Sequence, residues 1–322
     1  MRAWPAIVVA WVTAALGGGL WAAPVDFAQV GADAGWLVHL DVDVLRNGSL
    51  IEKAFHRLMA ERPHMEKQLD ALSELLDLDL RRDLYGITAY GRRFAEHEGV
   101  LLVHARFKPE ALKAKAHWLP EHQTVGHGRF EIHTWLDAKG KPDQRRVGAA
   151  FFRDDLIVFS PRIEDLKSAL DVLRGVAPGL PRNSPLAGPV PEGAALVARA
   201  IRLSSAPVPF KSPLVTQSEA FSLVVGQSGD QVFAEARLQM KSPEAACLVK
   251  EIVEGICAMA VLQWSDDPSL AGLLRRFEVR QHQTTAIAAI RAPAEEVWRE
   301  VDRVWTRLSP VEGPGPLTGP KP

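Results

Sequence analysis

The chain has 322 residues, a formal net charge of −1 and an apolar fraction of 47%. This length allows two domains of ordinary size, and the apolar fraction predicts folded cores rather than disorder. Acidic and basic residues are scattered and nearly balanced, so the composition favours neither nucleic acid nor an anionic membrane surface as a partner.

The first 23 residues have the pattern of a secretory signal peptide. Arg2 supplies a minimal basic start, and residues 6–20 are apolar apart from Thr13 and three glycines. Ala22 and Ala23 are small residues suited to cleavage. We therefore predict an exported protein, periplasmic or extracellular, with no membrane segment beyond this one. An uncleaved N-terminal anchor is the alternative.

Residues 24–174 are predicted to form a first α+β module. Its first strand, at 36–45, alternates so that His39, Asp41 and Asp43 share one face. Helices are expected at 50–61, 65–76, 109–118 and 161–173, and further strands at 84–90, 99–107, 129–136, 147–152 and 156–160.

Residues 175–193 contain five prolines and four glycines, which predicts a linker between domains. A second module is expected over 194–308, and a disordered tail over 309–322. Strands are predicted at 194–203, 221–226, 231–240 and 277–291, and helices at 243–264 and 293–308.

The second module repeats the order of elements found in the first. A Pro-Glu-Ala triplet opens a helix at 109–111 and again at 243–245, and Arg-Phe-Glu occurs at 129–131 and at 276–278. The repeats lie roughly 130 to 150 residues apart, which indicates a duplication of domain size. We predict an α+β fold of two duplicated modules, each an antiparallel sheet with helices packed on one face.

The shared face of the first strand is a candidate for chemistry. An imidazole and two carboxylates at His39, Asp41 and Asp43 could bind a divalent cation or act as acid and base. The polar face of a half-buried strand is the alternative, and the equivalent strand at 198–201 carries no carboxylate. His133 could join this group if sheet pairing brings it close.

Other constellations are weaker. Six of the ten histidines lie between 97 and 133, but their spacing does not match that of metal ligands on a helix. Glu131 and His133 could share one face of a strand. Cys247 and Cys257 lie about 15 Å apart on one predicted helix, too far for a disulfide between them. With Val253, Ile256 and Ala260 they would form a buried stripe.

Five segments of the mature chain, taken with the signal sequence, resemble a group of bacterial exported proteins of unknown function. The segments are 36–43, 80–91, 133–135, 211–215 and 292–298. The likeness covers nearly all of the mature chain, and it implies no activity, ligand or catalytic residue.

The sequence favours a non-catalytic exported protein that uses a sheet face, or the groove between the modules, to bind a protein or a small apolar ligand of the cell envelope. No cofactor is expected. One alternative is a metal-binding protein or hydrolase built on His39, Asp41 and Asp43, with His133. Another is an envelope structural protein held by an uncleaved anchor.

Overall fold

The computed structural model describes residues 24–61, 70–71, 73–74, 77–95, 98–136, 146–203 and 213–308. The predicted signal peptide, the tail at 309–322 and most of the predicted helix at 65–76 lie outside these ranges. The strands of the first half are β1 (Trp36–Asp41), β2 (Leu84–Gly91), β3 (Val100–Ala105), β4 (Gln123–His127), β5 (Phe130–Leu136), β6 (Arg146–Arg153) and β7 (Leu156–Ser160). Those of the second half are β8 (Ala194–Ile201), β9 (Ser218–Ser228), β10 (Gln231–Met240), β11 (Glu278–His282) and β12 (Thr285–Pro293).

Helices connect these strands. In the first half they are α1 (Val42–Asn47), α2 (Ser49–Glu61), α3 (Leu80–Asp83), α4 (Pro109–Ala116) and α5 (Ile163–Leu173). In the second half they are α6 (Pro213–Thr216), α7 (Pro243–Gln263), α8 (Pro268–Leu274) and α9 (Ala294–Leu308). The α+β class predicted from the sequence is confirmed.

The twelve strands of the described residues form one antiparallel sheet, in the order β11-β12-β10-β9-β8-β1-β2-β3-β7-β6-β5-β4. The two halves meet edge to edge, where β1 pairs with β8 and Leu37 lies opposite Arg199. The two halves are therefore joined by a hydrogen-bonded strand pair. The sequence had suggested a groove between two modules at this place. Outward from this pair the order is β1-β2-β3-β7-β6-β5-β4 on one side and β8-β9-β10-β12-β11 on the other, so the first five strands on each side are connected in the same order.

Both faces of the first half-sheet are apolar and both are covered. Along β3, Leu102 points to the face on which Leu166 and Leu170 of α5 pack, whereas Leu101 and Val103 point to the face that Met59 of α2 covers. All six side chains are buried. Helices consequently pack on both faces here, because a strand with a continuous apolar run needs cover on each side.

The proline- and glycine-rich stretch at 175–193 packs against the sheet. Leu186 is fully buried within it. The guanidinium of Arg199 on β8 donates hydrogen bonds to the carbonyls of Leu186 at 2.9 Å, Gly188 at 2.6 Å and Pro189 at 2.7 Å. These bonds hold the connecting segment onto the strand at which the two halves join.

In the second half, the helices α7, α8 and α9 lie together. Ala246 and Val249 of α7 pack on Leu238, Met240 and Ala286 of the sheet. Helix α9 contacts α2 of the first half, where Arg57 forms a 3.0 Å ion pair with Asp302. Helix α7 itself lies along β10, β11 and β12, and it contacts all three strands.

Candidate functional site

His39 is buried between strands. Its side chain is 2% exposed, and Nδ1 lies 2.8 Å from the hydroxyl of Thr88, its register partner on β2. Thr88 is itself 4% exposed. The pair forms a cross-strand polar contact inside the packed sheet.

Asp41 is the last residue of β1 and the N-cap of α1. Its Oδ1 accepts a hydrogen bond from the backbone amide of Val44 at 3.0 Å. Burial raises the pKa of the Asp41 carboxyl, and backbone hydrogen bonds act in the opposite direction. The prediction of a strand as far as residue 45 is therefore wrong, because the N-cap starts a helix where the alternation would have continued.

Asp43 consequently lies in the first turn of α1 and does not share a strand face with His39. Its carboxylate forms an ion pair with Arg46, and both residues are buried. Arg46 also donates to the carbonyl of Leu84 at 2.8 Å. Burial lowers the pKa of the Arg46 guanidinium, whereas the neighbouring Asp43 raises it. These contacts join α1 to the start of β2, which is a structural role.

His133 lies far from this group. It is on β5, five strand steps from β1 in the order β1-β2-β3-β7-β6-β5. With neighbouring strands about 4.8 Å apart, His133 and His39 are separated by roughly 24 Å across the sheet. The hypothesis that sheet pairing brings His133 to the first strand is therefore wrong.

His133 instead belongs to a cluster of imidazoles. Its Nδ1 lies 3.0 Å from Nε2 of His122, and the ring of His117 lies 4.7 Å from that of His122. The carboxylate of Glu131 is 3.8 Å from Nε2 of His133, as their shared strand face predicts. No pattern in the sequence pointed to His117 and His122 beyond a local excess of histidine, because the turn between α4 and β4 brings them together.

The surroundings of His133 and His122 favour the neutral imidazole. Burial lowers the pKa of His133, against the opposing charge of Glu131, and burial also lowers the pKa of His122. Across the described ranges, no three His, Cys, Asp or Glu side chains are arranged to hold a metal ion. As they stand, the rings form a packed, partly buried polar contact.

Helix α7 carries the most prominent exposed feature. Five of its large apolar side chains are more than half exposed, and we call them the α7 stripe. They are Leu248 (60%), Ile252 (54%), Ile256 (60%), Met259 (70%) and Leu262 (74%). The helix bounds agree with those predicted, but Ile256 faces solvent, so the prediction that it lies in a buried stripe is wrong.

The stripe arises because α7 is apolar on more than one side. Ala246 and Val249 bury one side against the sheet. A helix on a sheet buries only about a third of its circumference, so the remaining apolar residues are left outside. The free thiols of Cys247 and Cys257 are only half-buried.

The surroundings of the stripe are acidic. Glu244, Glu251 and Glu254 are exposed on α7, and Lys250 forms a 2.7 Å ion pair with Glu254. Gly255 lies in the middle of the helix, and a Cβ added to it would meet nothing within 4 Å. The stripe is thus an exposed apolar surface with a negative border.

The face of the sheet opposite α7 is polar. Glu235 on β10 forms ion pairs with Arg237 at 2.6 Å and with Arg280 of β11 at 3.3 Å. Both arginines are exposed. The sequence suggests a sheet face as a binding surface, but here the exposed part of this face carries paired charges.

A cavity of about 230 Å³ lies between the end of β2 and helix α5. Charged side chains line much of it, and they pair with one another. Arg92 contacts Asp165 at 3.1 Å, and Arg162 contacts Glu98 at 2.8 Å. Internal pairing of this kind is typical of a solvated surface network.

No helix within the described residues combines the length and the apolar character needed to cross a bilayer.

No protein-family model matches the chain, and no curated protein matches it. Solved structures of TP0453 are similar in chain path. Crystal form I has a TM-score of 0.42 at 10% identity, covering 88% of this chain and 99% of the other. Crystal form III has 0.43 at 11%, covering 87% and 98%. At these values the likeness supports no conclusion about function.

Proposed function

We propose that this chain is a non-catalytic, exported binding protein of the bacterial cell envelope, and that it binds a protein partner through the α7 stripe. The observation that carries the proposal is the exposure of five large apolar side chains along one helix. Export to the periplasm or beyond is inferred from the pattern of the first 23 residues.

The size of the stripe supports a binding role. Together the five side chains expose on the order of 600 Å², the upper end for the largest apolar patch of a monomeric protein. Patches of this size are often functional, because leaving them in water is unfavourable and promotes association.

The rigidity of α7 also supports binding. Ser242 caps the helix by accepting a hydrogen bond from the amide of Ala245 at 3.2 Å. Ala246 and Val249 fix it on the sheet, and the buried Leu270 and Leu273 belong to the neighbouring α8. A surface that is already ordered loses little conformational entropy on binding.

The shape of the stripe favours a protein over a small apolar ligand. Small-molecule sites are concave and enclose most of their ligand. The outer side of a helix that lies on a sheet is convex, so it suits a groove or a second helix on a partner.

A non-catalytic role is consistent with the contacts of the first strand. His39 contacts Thr88, Asp41 caps α1 and Asp43 pairs with Arg46. Each of these three side chains therefore has a structural contact that accounts for its position. The proposal requires no cofactor.

Site-specific photo-crosslinking tests the proposal. A photo-reactive phenylalanine analogue replaces Met259 in one variant and Val176, which is 65% exposed outside α7, in the control. Both full-length variants are irradiated in cells of the chain's own host. We expect a discrete protein adduct at position 259 and none at 176. The absence of any adduct at 259, with both variants folded and exported, would contradict the proposal.

A further inference from the structure

We infer that the partner of the α7 stripe presents an amphipathic helix whose apolar face is bordered by lysine or arginine. This inference rests on the proposed function and specifies the chemistry of the partner. Three features of α7 carry it: the spacing of its exposed apolar residues, a glycine in the middle of that spacing, and two carboxylates beside it.

The exposed apolar residues of α7 are spaced as in a helix pairing seam. Five positions are separated alternately by four and three residues, namely Leu248, Ile252, Gly255, Met259 and Leu262. This alternation is the heptad pattern that keeps one edge of a helix against another helix. The 21 residues of α7 span about 31 Å, which is long enough for two heptads of contact. The seam therefore favours a helix as the element that the partner presents.

Gly255 is the central position of this seam. It is exposed, and a Cβ added to it would meet nothing within 4 Å, so the packing of α7 within the described residues does not require a glycine here. Glycine permits the close approach of another backbone. A partner helix can thus cross the middle of the stripe at short range.

Glu244 and Glu251 border the seam on one side. In the heptad that places Ile252 and Met259 at position a, both glutamates occupy position g, and both are exposed. Charges at position g lie beside the apolar seam and select the partner by pairing with charges on the facing helix. On the other side of the seam, Val249 is buried against the sheet. The charges that α7 offers to a partner beside the seam are therefore these two carboxylates.

The lysines near this border are engaged elsewhere. Lys250 is the one lysine of α7, and it forms its 2.7 Å ion pair with Glu254, which lies further from the seam. Lys241 precedes the helix and donates a hydrogen bond to the carbonyl of Thr216 at 2.8 Å. The border is thus negative, and the complementary partner is basic.

The same border argues against two other occupants. A second copy of this chain would bring like charges to the edge of the interface, which is unfavourable. Helices that lie on membranes usually carry Lys and Arg beside their apolar face, whereas α7 carries Glu244 and Glu251 there.

Two synthetic peptides of the length of α7 test the inference. Each has leucine at positions a and d, with lysine at e and g in one peptide and glutamate there in the other, so that like charges oppose self-association of either. Binding to the purified full chain is measured by fluorescence anisotropy. We expect the lysine peptide to bind at least about tenfold more tightly at about 50 mM salt, and the difference to shrink at about 0.5 M because ions screen the border charges.

Variants of the full chain locate the contact. Glu251→Lys should reduce the preference for the lysine peptide at least about threefold, since a complementary charge becomes a repelling one. Glu192→Lys, at an exposed glutamate outside α7, should leave the preference unchanged. Ile252→Ser with Met259→Ser should weaken binding of the lysine peptide at least about tenfold, because two apolar contacts are lost. Circular dichroism should show every variant folded.

Equal affinity for the two peptides, or no binding of either by the folded wild type up to about 100 µM, overturns the inference. A dimer in sedimentation velocity, or binding to vesicles of phosphatidylcholine and phosphatidylglycerol, also overturns it if the Ile252→Ser, Met259→Ser variant abolishes that association, because the stripe then has another occupant.

The proposed function is judged separately, by the photo-adduct at position 259. An adduct on a helix with lysine or arginine beside its apolar face supports both proposals. An adduct on a protein segment without such residues keeps the proposed function and overturns the inference. The absence of any adduct ends the proposed function.

Discussion

The carboxylate of Asp43 and the guanidinium of Arg46 form an ion pair one helical turn apart, with side chains only 4% and 3% exposed. Arg46 extends the contact to the carbonyl of Leu84, where β2 begins. Asp43, which the sequence offered as a candidate for metal binding or acid–base chemistry, thus helps to hold α1 on the sheet.

Removal of one partner from this pair should be costly. Asp43→Ala leaves the Arg46 charge buried without its neutralising carboxylate, and we expect a loss of about 3–5 kcal/mol in the free energy of unfolding. The double variant Asp43→Ala with Arg46→Met should lose less than Asp43→Ala alone. Urea unfolding of the three chains measures this, and additive losses would show that the two side chains do not interact.

Acid should destabilise the protein through His133. Burial lowers the pKa of native His133, whereas the unfolded chain binds the proton near the ordinary value of about 6.5. As the pH falls through 6.5 the unfolded state therefore takes up more protons, and stability decreases. His133→Gln should flatten the dependence of the unfolding free energy between about pH 7 and 5. His282→Gln, on the exposed β11, controls for the loss of a histidine. An unchanged slope in His133→Gln would contradict the assignment.

Arg199 should hold the connecting segment in place. Arg199→Met removes three hydrogen bonds to the carbonyls of Leu186, Gly188 and Pro189. We expect a loss of about 2–4 kcal/mol, since the buried carbonyl of Leu186 and two partly buried carbonyls would be left without this donor. Hydrogen exchange should increase in 185–190, and Arg237→Met on the exposed face should leave it unchanged. Equal protection in both variants would show that Arg199 does not retain the segment.

Replacement of each of two glycines by alanine should change the stability of the folded chain in opposite directions. A Cβ on Gly226 of β9 would lie 2.1 Å from the carbonyl oxygen of Gly193 and 2.7 Å from the ring of Phe233, so Gly226→Ala should strongly destabilise the sheet. A Cβ on Gly272 of α8 meets nothing within 4 Å. Gly272→Ala should therefore stabilise the chain by about 0.5–1 kcal/mol. Thermal unfolding measures both, and similar melting temperatures would contradict the packing at Gly226.

The sequence predicted those elements whose signals are local. The bounds of α7 follow from Ser242, Pro243 and a long apolar run, and the hairpin of β9 and β10 follows from Gly229 in its turn. At Asp41 two local signals compete, strand alternation and helix capping, and the capping contact with Val44 decides the outcome.

Features that depend on distant contacts could not be predicted. The pairing of β1 with β8 and the distance from His39 to His133 are set by strand order, which no local pattern encodes. The α7 stripe escaped prediction for a related reason. The sequence shows that α7 is apolar on several sides, but only the packing of Val249 on the sheet reveals that Ile256 and Met259 are left outside.

Cysteine accessibility in the native envelope tests the central claim, that the α7 stripe is covered by a protein partner. Met259→Cys and Val176→Cys are made in a Cys247→Ser, Cys257→Ser background, and each is treated with a maleimide in the envelope fraction, with the denatured chain as reference. The account predicts that position 259 is protected in the envelope and reacts fully after purification at high dilution, while position 176 reacts in both. Equal and complete labelling of both positions in the envelope would contradict it.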